Sequence, residues 1–269
     1  MAIHPTAIVD AGAEIDPSAE VGAYAIVEGG VRIGARSRVF PHAFVGCGTT
    51  IGCDVQVHPF AVVGHHPQDV KWTQTPSYTV IGDGCIIREH ATVHRGTDPD
   101  TTTELGRRVF MMSTSHVGHN CRVGDDVVLM NSALLAGHTQ VGSRAIVSGN
   151  VSVHQFCRIG ELAIISGLTR VPNDVPPFMM LAPQGVVGPN VVGLRRAGYG
   201  STERAELRAA HRLLYRSGLL FRDAVRRLAD EVRTDPGRRL VAFLQAESKR
   251  GIAGYRRRAR CDDDVQSIA

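Results

Sequence analysis

Histidine is the side chain best suited to acid and base catalysis near neutral pH, and eleven of the twelve histidines of this chain precede residue 190. Several are clustered in the segments SHVGHNC, LAGHTQ and VHQFC, which contain His116, His119, His138 and His154. His119, Gly137 and Gln155 follow one another at intervals of 18 residues. If residues 18 positions apart are neighbours, these three can supply a general base and hydrogen-bond donors for an oxyanion, which suits acyl transfer.

A repeat of six residues positions these side chains. An aliphatic residue recurs at every sixth position, 26 times in three runs between Ile3 and Val171. A period of six matches neither an α-helix nor an isolated strand, but it fits short strands joined by turns. A small residue often follows four positions later, and Cys85, Cys121 and Cys157 occupy that position. We therefore predict that these cysteines are buried packing residues.

The pattern resembles that of the hexapeptide-repeat proteins, in which three hexads close one triangular coil of 18 residues. The resemblance implies a mainly β fold, a left-handed parallel β-helix, over residues 1–189. In such a coil, His119, Gly137 and Gln155 lie on one face, about 4.8 Å apart per rung. The repeat is interrupted twice, which predicts insertion loops at about 64–80 and 94–104. Loops that leave a rigid scaffold often carry function, so both are candidate walls of a site.

The pattern changes to a helical one after a proline-rich connector. Residues 190–260 are predicted to form a C-terminal α-helical domain, and residues 261–269 a flexible tail. Ser201 is expected to cap a helix with the apolar stripe Leu207, Ala210 and Leu214. A second helix is expected to bury Leu220, Ala224, Leu228 and Val232, and a third helix to follow Pro236 and to carry Leu240, Phe243 and Leu244.

Composition restricts the possible partners and compartments. The chain has no recognisable secretory signal, and prolines interrupt its longest uncharged stretch, so we expect a cytoplasmic protein without a membrane span. The six cysteines form no CxxC pair, which argues against a structural zinc site. Residues from 190 onward carry a net charge of +8, against −4 for the first 189. Without an aromatic platform for bases, this charge favours either a solvated helix surface or a site for an acidic protein or a phosphate-bearing ligand over nucleic-acid binding.

An ordered set of longer segments resembles one family of acyltransferases. The segments are PQDVK, IREHATVHRGT, HVGHNC, NSALLAGH, VHQF, NDVPPF, GLRRAGY and LLYRSG. Together they resemble the UDP-N-acetylglucosamine O-acyltransferases of lipid A biosynthesis, over about Ile3 to Tyr255. The resemblance implies transfer of an (R)-3-hydroxyacyl chain from acyl carrier protein to the 3-hydroxyl of UDP-N-acetylglucosamine. It also implies a homotrimer with sites between subunits, and a reaction without metal or bound cofactor.

The same resemblance assigns expected functions to individual residues. His119 matches the general base, and Gly137 matches the position whose backbone N–H stabilises the oxyanion. Gly167 matches a position that helps to set acyl-chain length, and a glycine there favours a longer chain. The residues expected to bind the sugar or line the cleft are Asp69, Lys71, His116, His138, His154 and Gln155. The residues expected to hold the nucleotide are Asn190 and Arg196.

One position departs from the family pattern, and two other functions remain possible. Asn120 follows the expected base where the family usually has Asp, and an amide cannot stabilise an imidazolium by charge. An N-acyltransferase that acts later in the same pathway has Asn there, but it also has an additional N-terminal domain. A γ-carbonic-anhydrase-like protein would bind Zn²⁺ through His116, His119 and a neighbouring subunit's histidine. A non-catalytic β-helix subunit would tolerate His119→Ala.

Overall fold

The structure is a computed structural model that describes residues 2–254. The predicted tail, 261–269, and the last part of the predicted helical domain, 255–260, lie outside the described residues. Hexads form two-residue strands in most coils, and each strand pairs in parallel with the strand one coil away, as Gln140 does with Arg158. Successive strands belong to three different sheets, so the chain winds around a triangular prism.

The first sheet begins every coil and extends furthest along the helix axis. In spatial order it consists of β1 (Ala2–Ile3), β4 (Glu20–Val21), β7 (Arg38–Val39), β10 (Gln56–Val57), β13 (Ile86–Ile87), β16 (Phe110–Met111), β19 (Val128–Leu129), β22 (Ile146–Val147), β25 (Ile164–Ile165), β27 (Met179–Ala182) and β28 (Gly185–Pro189). Only the pairing of β27 with β28 is antiparallel within this sheet.

The second and third sheets complete the triangle. The second consists of β2 (Ile8–Val9), β5 (Ile26–Val27), β8 (Phe44–Val45), β11 (Val62–His65), β14 (Thr92–His94), β17 (His116–Val117), β20 (Leu134–Leu135), β23 (Ser152–Val153) and β26 (Arg170–Val171). The third consists of β3 (Glu14–Ile15), β6 (Arg32–Ile33), β9 (Thr49–Ile51), β12 (Tyr78–Ile81), β15 (Thr102–Leu105), β18 (Arg122–Val123), β21 (Gln140–Val141) and β24 (Arg158–Ile159).

The aliphatic residues of the hexads form the core of the prism. From Val21 onward those that lie in strands of the β-helix are at most 4% exposed, whereas Ile3, Val9 and Ile15 of the first coil are only half-buried. Cys85, Cys121 and Cys157 are fully buried, which confirms their predicted packing function. Burial raises the pKa of the Cys121 thiol to about 12, so this thiol stays protonated.

Three corners join the sheets. The first corner lies between the first and second sheets and includes turns 130–132 and 166–168. The second corner lies between the second and third sheets and includes turns 118–120, 136–138 and 154–156. The third corner lies between the third and first sheets and includes turns 52–54, 106–108 and 124–126. The last residue of most of these turns has a positive φ, as at Asn120 (59°) and His138 (60°). Asn and His tolerate this backbone conformation better than most residues.

Both interruptions of the repeat lie at the second corner. The first insertion separates β11 from β12, and the second separates β14 from β15. Both insertions occupy rungs on the N-terminal side of the turn that contains His119. The insertions are therefore on the same edge of the prism as the candidate residues.

The outward faces of the three sheets differ in polarity. The outward residues of the third sheet are largely polar or charged, as at Glu104, Arg122 and Gln140, and ion pairs such as Arg32–Glu14 link neighbouring coils. The first sheet instead presents the apolar side chains Ile86, Phe110, Val128, Ile146 and Ile164. The second presents the apolar side chains Ile8, Ile26, Phe44, Val62 and Leu134.

Four helices follow the β-helix and pack against it. They are α1 (Val191–Arg196), α2 (Ser201–Arg216), α3 (Phe221–Glu231) and α4 (Asp235–Gln245). An ion pair joins α4 to the third corner, where Arg239 lies 2.7 Å from Glu161. No helix within residues 2–254 has both the length and the hydropathy needed to cross a bilayer.

The helical region corrects three details of the sequence interpretation. Gly200, and not Ser201, is the N-cap of α2, because Glu203 accepts a hydrogen bond from its backbone N–H. Leu220 precedes α3 and is 76% exposed, so it does not belong to the buried stripe. The third detail is the proline-rich connector, to which the six-residue repeat assigns no strand: β27 continues the first sheet and β28 folds back on it.

Candidate active site

The second corner brings His119, Asn120, Gly137 and His138 together. His119 and His138 lie on adjacent rungs, with ring centroids 5.1 Å apart and planes nearly perpendicular. Gly137 faces the His119 ring so closely that a Cβ at this position would collide with His119 Nε2. A glycine is needed because the imidazole occupies the space that any larger side chain would fill.

The hydrogen bonds of Asn120 determine the tautomer of His119. Asn120 Oδ1 accepts a hydrogen bond from the backbone N–H of Thr97, at 3.0 Å, which identifies this atom as the carbonyl oxygen. The same oxygen lies 2.9 Å from His119 Nδ1. Because this oxygen can only accept a hydrogen bond, His119 Nδ1 carries the proton and donates the hydrogen bond. His119 Nε2, which lies against Gly137, has no hydrogen-bond partner among residues 2–254, so its lone pair is available to act as a base.

The backbone of Asn120 is held as firmly as its side chain. Its N–H donates to Thr103 Oγ1 at 2.7 Å, where the second insertion returns to β15. The second insertion thus contacts Asn120 from both of its ends, through Thr97 and Thr103. The loop fixes the residue that orients the candidate base.

The backbone N–H of Gly137 has no hydrogen-bond partner among residues 2–254. Two equivalent amides at the third corner are instead bonded by aspartate side chains: Cys53 N by Asp83 Oδ1 at 2.7 Å and Arg107 N by Asp125 Oδ1 at 2.8 Å. An unpaired N–H next to a histidine lone pair can stabilise negative charge on a reacting carbonyl oxygen. This pair of groups is what acyl transfer needs.

His116 lies on the same side of the prism but faces different partners. Its Nδ1 is 2.7 Å from Thr92 Oγ1, and its ring meets the edge of His94 at a centroid separation of 5.0 Å. Burial lowers the pKa of His94 to about 4, and burial also lowers the pKa of His116. These two imidazoles are therefore neutral at pH 7 and form an uncharged wall beside the candidate base. His94 did not stand out in the sequence, because nothing in the hexad pattern marks its burial.

The remaining candidates near the second corner are more exposed. His154 is half-buried, and Gln155 is exposed one rung beyond Gly137. On the first insertion, Asp69 Oδ1 accepts a hydrogen bond from the backbone N–H of Lys71 at 2.9 Å, and the Lys71 side chain is exposed. Burial lowers the pKa of His138, whereas the negative charges of Asp98 and Asp69 act to raise it. Asp69 is thus close enough to influence the second corner.

Asn190, Arg196 and Gly167 are not brought to His119 within one chain. Asn190 is 5% exposed, donates from Nδ2 to the backbone carbonyl of Leu162 at the third corner, and caps α1 by accepting from Gly193 N. Arg196 is exposed at the end of α1. Gly167 is exposed at the first corner, where an added Cβ would lie 3.3 Å from Gly149 O.

The geometry offers no preformed metal centre in one chain. Among residues 2–254, no three side chains of His, Cys, Asp or Glu converge as metal ligands. His116 and His119, the two proposed zinc ligands, each direct Nδ1 to a different polar partner. The arrangement at the second corner fits a base and an oxyanion donor better than a zinc site.

Fold and site together define the chain as a left-handed parallel β-helix acyltransferase of the hexapeptide-repeat class. Residues 174–253 match the family model described as UDP-N-acetylglucosamine O-acyltransferase, domain 2. The chain belongs to the UDP-N-acetylglucosamine O-acyltransferase family, as full-length comparisons show. The fold class predicted from the sequence, including its handedness and its helical C-terminal region, is confirmed.

Two curated relatives and one solved structure illustrate this membership. An acyl-[acyl-carrier-protein]–UDP-N-acetylglucosamine O-acyltransferase from Paraburkholderia xenovorans is 45% identical over 261 residues, covering 93% of this chain and 98% of the relative. The enzyme of the same name from Syntrophobacter fumaroxidans is 41% identical over 256 residues, covering 94% of this chain and 99% of the relative. The UDP-N-acetylglucosamine acyltransferase structure from Francisella novicida has a TM-score of 0.90 at 34% identity and covers 94% of each chain.

Proposed function

We propose that this chain transfers an (R)-3-hydroxyacyl group from acyl carrier protein to the 3-hydroxyl of UDP-N-acetylglucosamine, the first step of lipid A biosynthesis. The observation that carries the proposal is the contact at the second corner between the His119 ring and Gly137: among residues 2–254, neither His119 Nε2 nor the Gly137 N–H has a hydrogen-bond partner. The names of the curated relatives supply the donor and the acceptor.

The proposed mechanism uses His119 as base and then as acid. His119 Nε2 removes the proton of the sugar 3-hydroxyl while the hydroxyl oxygen attacks the thioester carbonyl carbon. The Gly137 N–H donates a hydrogen bond to the oxyanion of the tetrahedral intermediate, a contribution of about 3 kcal/mol in comparable sites. The intermediate then expels the carrier-protein thiolate, which takes the proton back from His119. No metal or bound cofactor enters these steps.

Asn120 supports this mechanism as a positioning residue. An amide cannot stabilise the imidazolium by charge, but its carbonyl oxygen holds the proton on Nδ1 and leaves Nε2 free. The departure from the usual Asp therefore changes the electrostatics of the base and preserves its orientation.

We propose that the active unit is a homotrimer with sites between subunits. The first sheet is apolar on its outward side from Ile86 to Ile164, and the second at five of its nine strands, whereas the third is largely charged or polar. This distribution suits a prism that contacts two neighbours and exposes one face to water. Asn190 and Arg196 lie towards the third corner, so they would reach the second corner of an adjacent subunit rather than their own. A monomer in sedimentation experiments would contradict this arrangement.

The apolar faces also suit the acyl chain. From the thioester at Gly137, a chain crossing the second sheet meets the exposed Leu134 and reaches the first corner at Gly167. We propose that Gly167 leaves this groove open for a long acyl chain. Higher kcat/KM for short acyl donors would contradict this part of the proposal.

The acceptor is proposed to lie on the side of the insertions. Asp69 and Lys71 would bind the sugar there. His116, His138, His154 and Gln155 would line the cleft, which continues past His119 to the other side of Gly137. Asn190 and Arg196 would hold the nucleotide, with the Arg196 guanidinium free to bind phosphate oxygens. We place the reaction in the cytoplasm, consistent with free thiols at five described cysteines.

The proposed reaction can be tested with defined donors. Purified protein is incubated with UDP-N-acetylglucosamine and a panel of (R)-3-hydroxyacyl carrier proteins, and the product is identified by mass spectrometry and mild alkaline hydrolysis. We expect an ester at the 3-hydroxyl and no dependence on added zinc. Zinc-dependent hydration of carbon dioxide, or no product from any donor, would contradict the proposal.

A further inference from the structure

Lys249 belongs to the helical region but reaches the second corner. It follows α4 in the segment 246–251, and its ammonium group lies 4.7 Å from the centre of the Phe156 ring. Phe156 stacks on His138 at 4.7 Å, and His138 meets the edge of His119. The four side chains form one column along the helix axis, with the candidate base at one end and a cation at the other.

The position of Lys249 is fixed by its neighbours in the chain. Asn173 Nδ2 donates to Arg250 O, Arg250 Nε donates to Pro172 O at 3.2 Å, and Asp174 N donates to Gly251 O at 2.8 Å. These bonds hold the segment against the last turn of the second corner. A preorganised cation loses less conformational entropy on binding an anion than a free surface lysine does.

Lys249 is exposed, and its ammonium group forms no ion pair with the carboxylates of residues 2–254. A cation–π contact leaves most of an ammonium group's hydrogen-bonding capacity unused. Lys249 can therefore bind a phosphate-type anion without first breaking an ion pair.

The direction of the column distinguishes donor from acceptor. Both insertions, which carry the proposed sugar-binding residues, lie on the N-terminal side of His119. Gln155, Phe156 and Lys249 lie on the other side, beyond Gly137. A thioester placed at Gly137, with the sugar on the N-terminal side, directs its leaving-group arm towards Lys249.

The length of that arm fits the column. An acyl carrier protein presents its thioester on a phosphopantetheine arm of roughly thirteen bonds between sulfur and phosphorus, which is about 15 Å when extended, like four residues of backbone. The column from His119 to Lys249 has three steps of 4.7–5.1 Å each. The phosphodiester and the thioester can thus occupy the two ends at the same time.

We infer that Lys249 binds the phosphodiester of the donor's phosphopantetheine arm, with the arm lying along Gln155 and Phe156. This inference rests on the proposed function, because it takes acyl carrier protein as the donor. It assigns a donor-binding function to a residue outside the β-helix.

The experiment compares donors that differ only in the phosphate. Acyl-phosphopantetheine and acyl-pantetheine are used as minimal donors with wild type, Lys249→Met and Lys249→Arg. Lys249→Met should lower kcat/KM about 5- to 10-fold for acyl-phosphopantetheine and leave it unchanged for acyl-pantetheine, and Lys249→Arg should retain most of the wild-type value. Arg222→Met, which removes an exposed charge from α3, serves as a matched control and should change neither value.

Three results would overturn the inference. The first is an equal loss of kcat/KM with both donors in Lys249→Met, and the second is no loss with acyl-phosphopantetheine. The third is a raised KM for UDP-N-acetylglucosamine alone, which would assign Lys249 to the nucleotide's diphosphate. An unchanged melting temperature of Lys249→Met separates binding from folding. If wild type transfers no acyl group from any donor, the proposed function itself fails, and this outcome is distinct from the other three.

Discussion

The second and third corners of the prism are built from the same repeat but satisfy their polar groups differently. At the third corner, Asp125 accepts from the backbone N–H of Arg107 and pairs with its guanidinium at 3.1 Å, 18 residues away. At the second corner, the equivalent Gly137 N–H has no partner among residues 2–254, and His119 Nε2 lies against the same glycine. A corner that satisfies its own groups contributes to stability, whereas one that leaves them unpaired is available to a substrate.

The electrostatics of the two corners differ in the same way. Hydrogen bonds from Arg107 N and then the Arg107 guanidinium lower the pKa of Asp125, and the Arg108 guanidinium does the same for Asp126. These carboxylates stay charged and paired. At the second corner, burial lowers the pKa of His116 and His138, which keeps the wall around the base neutral. Only neutral imidazole can take a proton from a sugar hydroxyl.

The close approach of Gly137 to His119 predicts the largest effect after loss of the base itself. Gly137→Ala keeps the backbone N–H but places a methyl group against Nε2, which must move the ring. We expect kcat to fall about 10²-fold, because a misplacement near 1 Å at a reacting group has this consequence. Gly188→Ala, at a glycine with no atoms within 4 Å of the new methyl group, should leave kcat unchanged. Equal kcat values for the two variants would show that Gly137 is not part of the active site.

His94 predicts a loss of stability in acid that begins at higher pH than the loss expected from the third-corner aspartates. Its pKa is near 4 in the folded chain and about 6.5 when unfolded, so as pH falls the unfolded state takes up the proton first. Stability should therefore be lost between pH 6.5 and 4, by about 3 kcal/mol at the lower limit. Urea unfolding at several pH values measures this loss, and His94→Phe should reduce it. A pH dependence identical in both proteins would show that His94 is not the cause.

Asn120→Asp tests whether the orienting residue acts through geometry or charge. The carboxylate can accept from Thr97 N and from His119 Nδ1 as the amide does, but it adds a negative charge that stabilises the imidazolium. The acid limb of the pH–rate profile should move to higher pH by about one unit, with a similar maximal rate. Asn120→Ala, which loses both bonds, should lower kcat at every pH. Superimposable profiles for wild type and Asn120→Asp would contradict this interpretation.

Asp125→Ala tests the structural function of the third corner and should have the smallest effect. It removes the acceptor of Arg107 N and one partially exposed ion pair, so the free energy of unfolding should fall by about 1 kcal/mol. Steady-state kinetics should be unchanged. A kcat reduced at constant stability would mean that the two corners are not functionally separate.

The sequence predicted the fold well because the hexad repeat encodes it locally. Each aliphatic residue needs only its neighbour one coil away, and the spacing of 18 residues therefore places His119, Gly137 and Gln155 correctly. The strand β27 escaped prediction because it continues the first sheet without the regular six-residue spacing. The N-cap of α2 at Gly200 was not predicted because the side chain that bonds its backbone N–H belongs to Glu203, three residues later.

Other parts of the site depend on contacts that the residue spacing of the repeat does not predict. The functions expected of Asn190 and Arg196 stay predictions, because within one chain Asn190 is bonded at the third corner, to Leu162. Lys249 follows a helix more than 90 residues beyond Phe156 in sequence, so only the packed structure places it over that ring. The tautomer of His119 likewise needs the position of Thr97 N, on a loop without repeat pattern.

The central claim is that the second corner holds a catalytic base, and His119→Ala tests it most directly. The measurement is the single-turnover rate of ester formation on UDP-N-acetylglucosamine, for wild type and for His119→Ala of equal melting temperature. We expect a rate lower by about 10²–10⁴ in the variant, the usual contribution of a general base. A variant that forms the ester at the wild-type rate would contradict the claim.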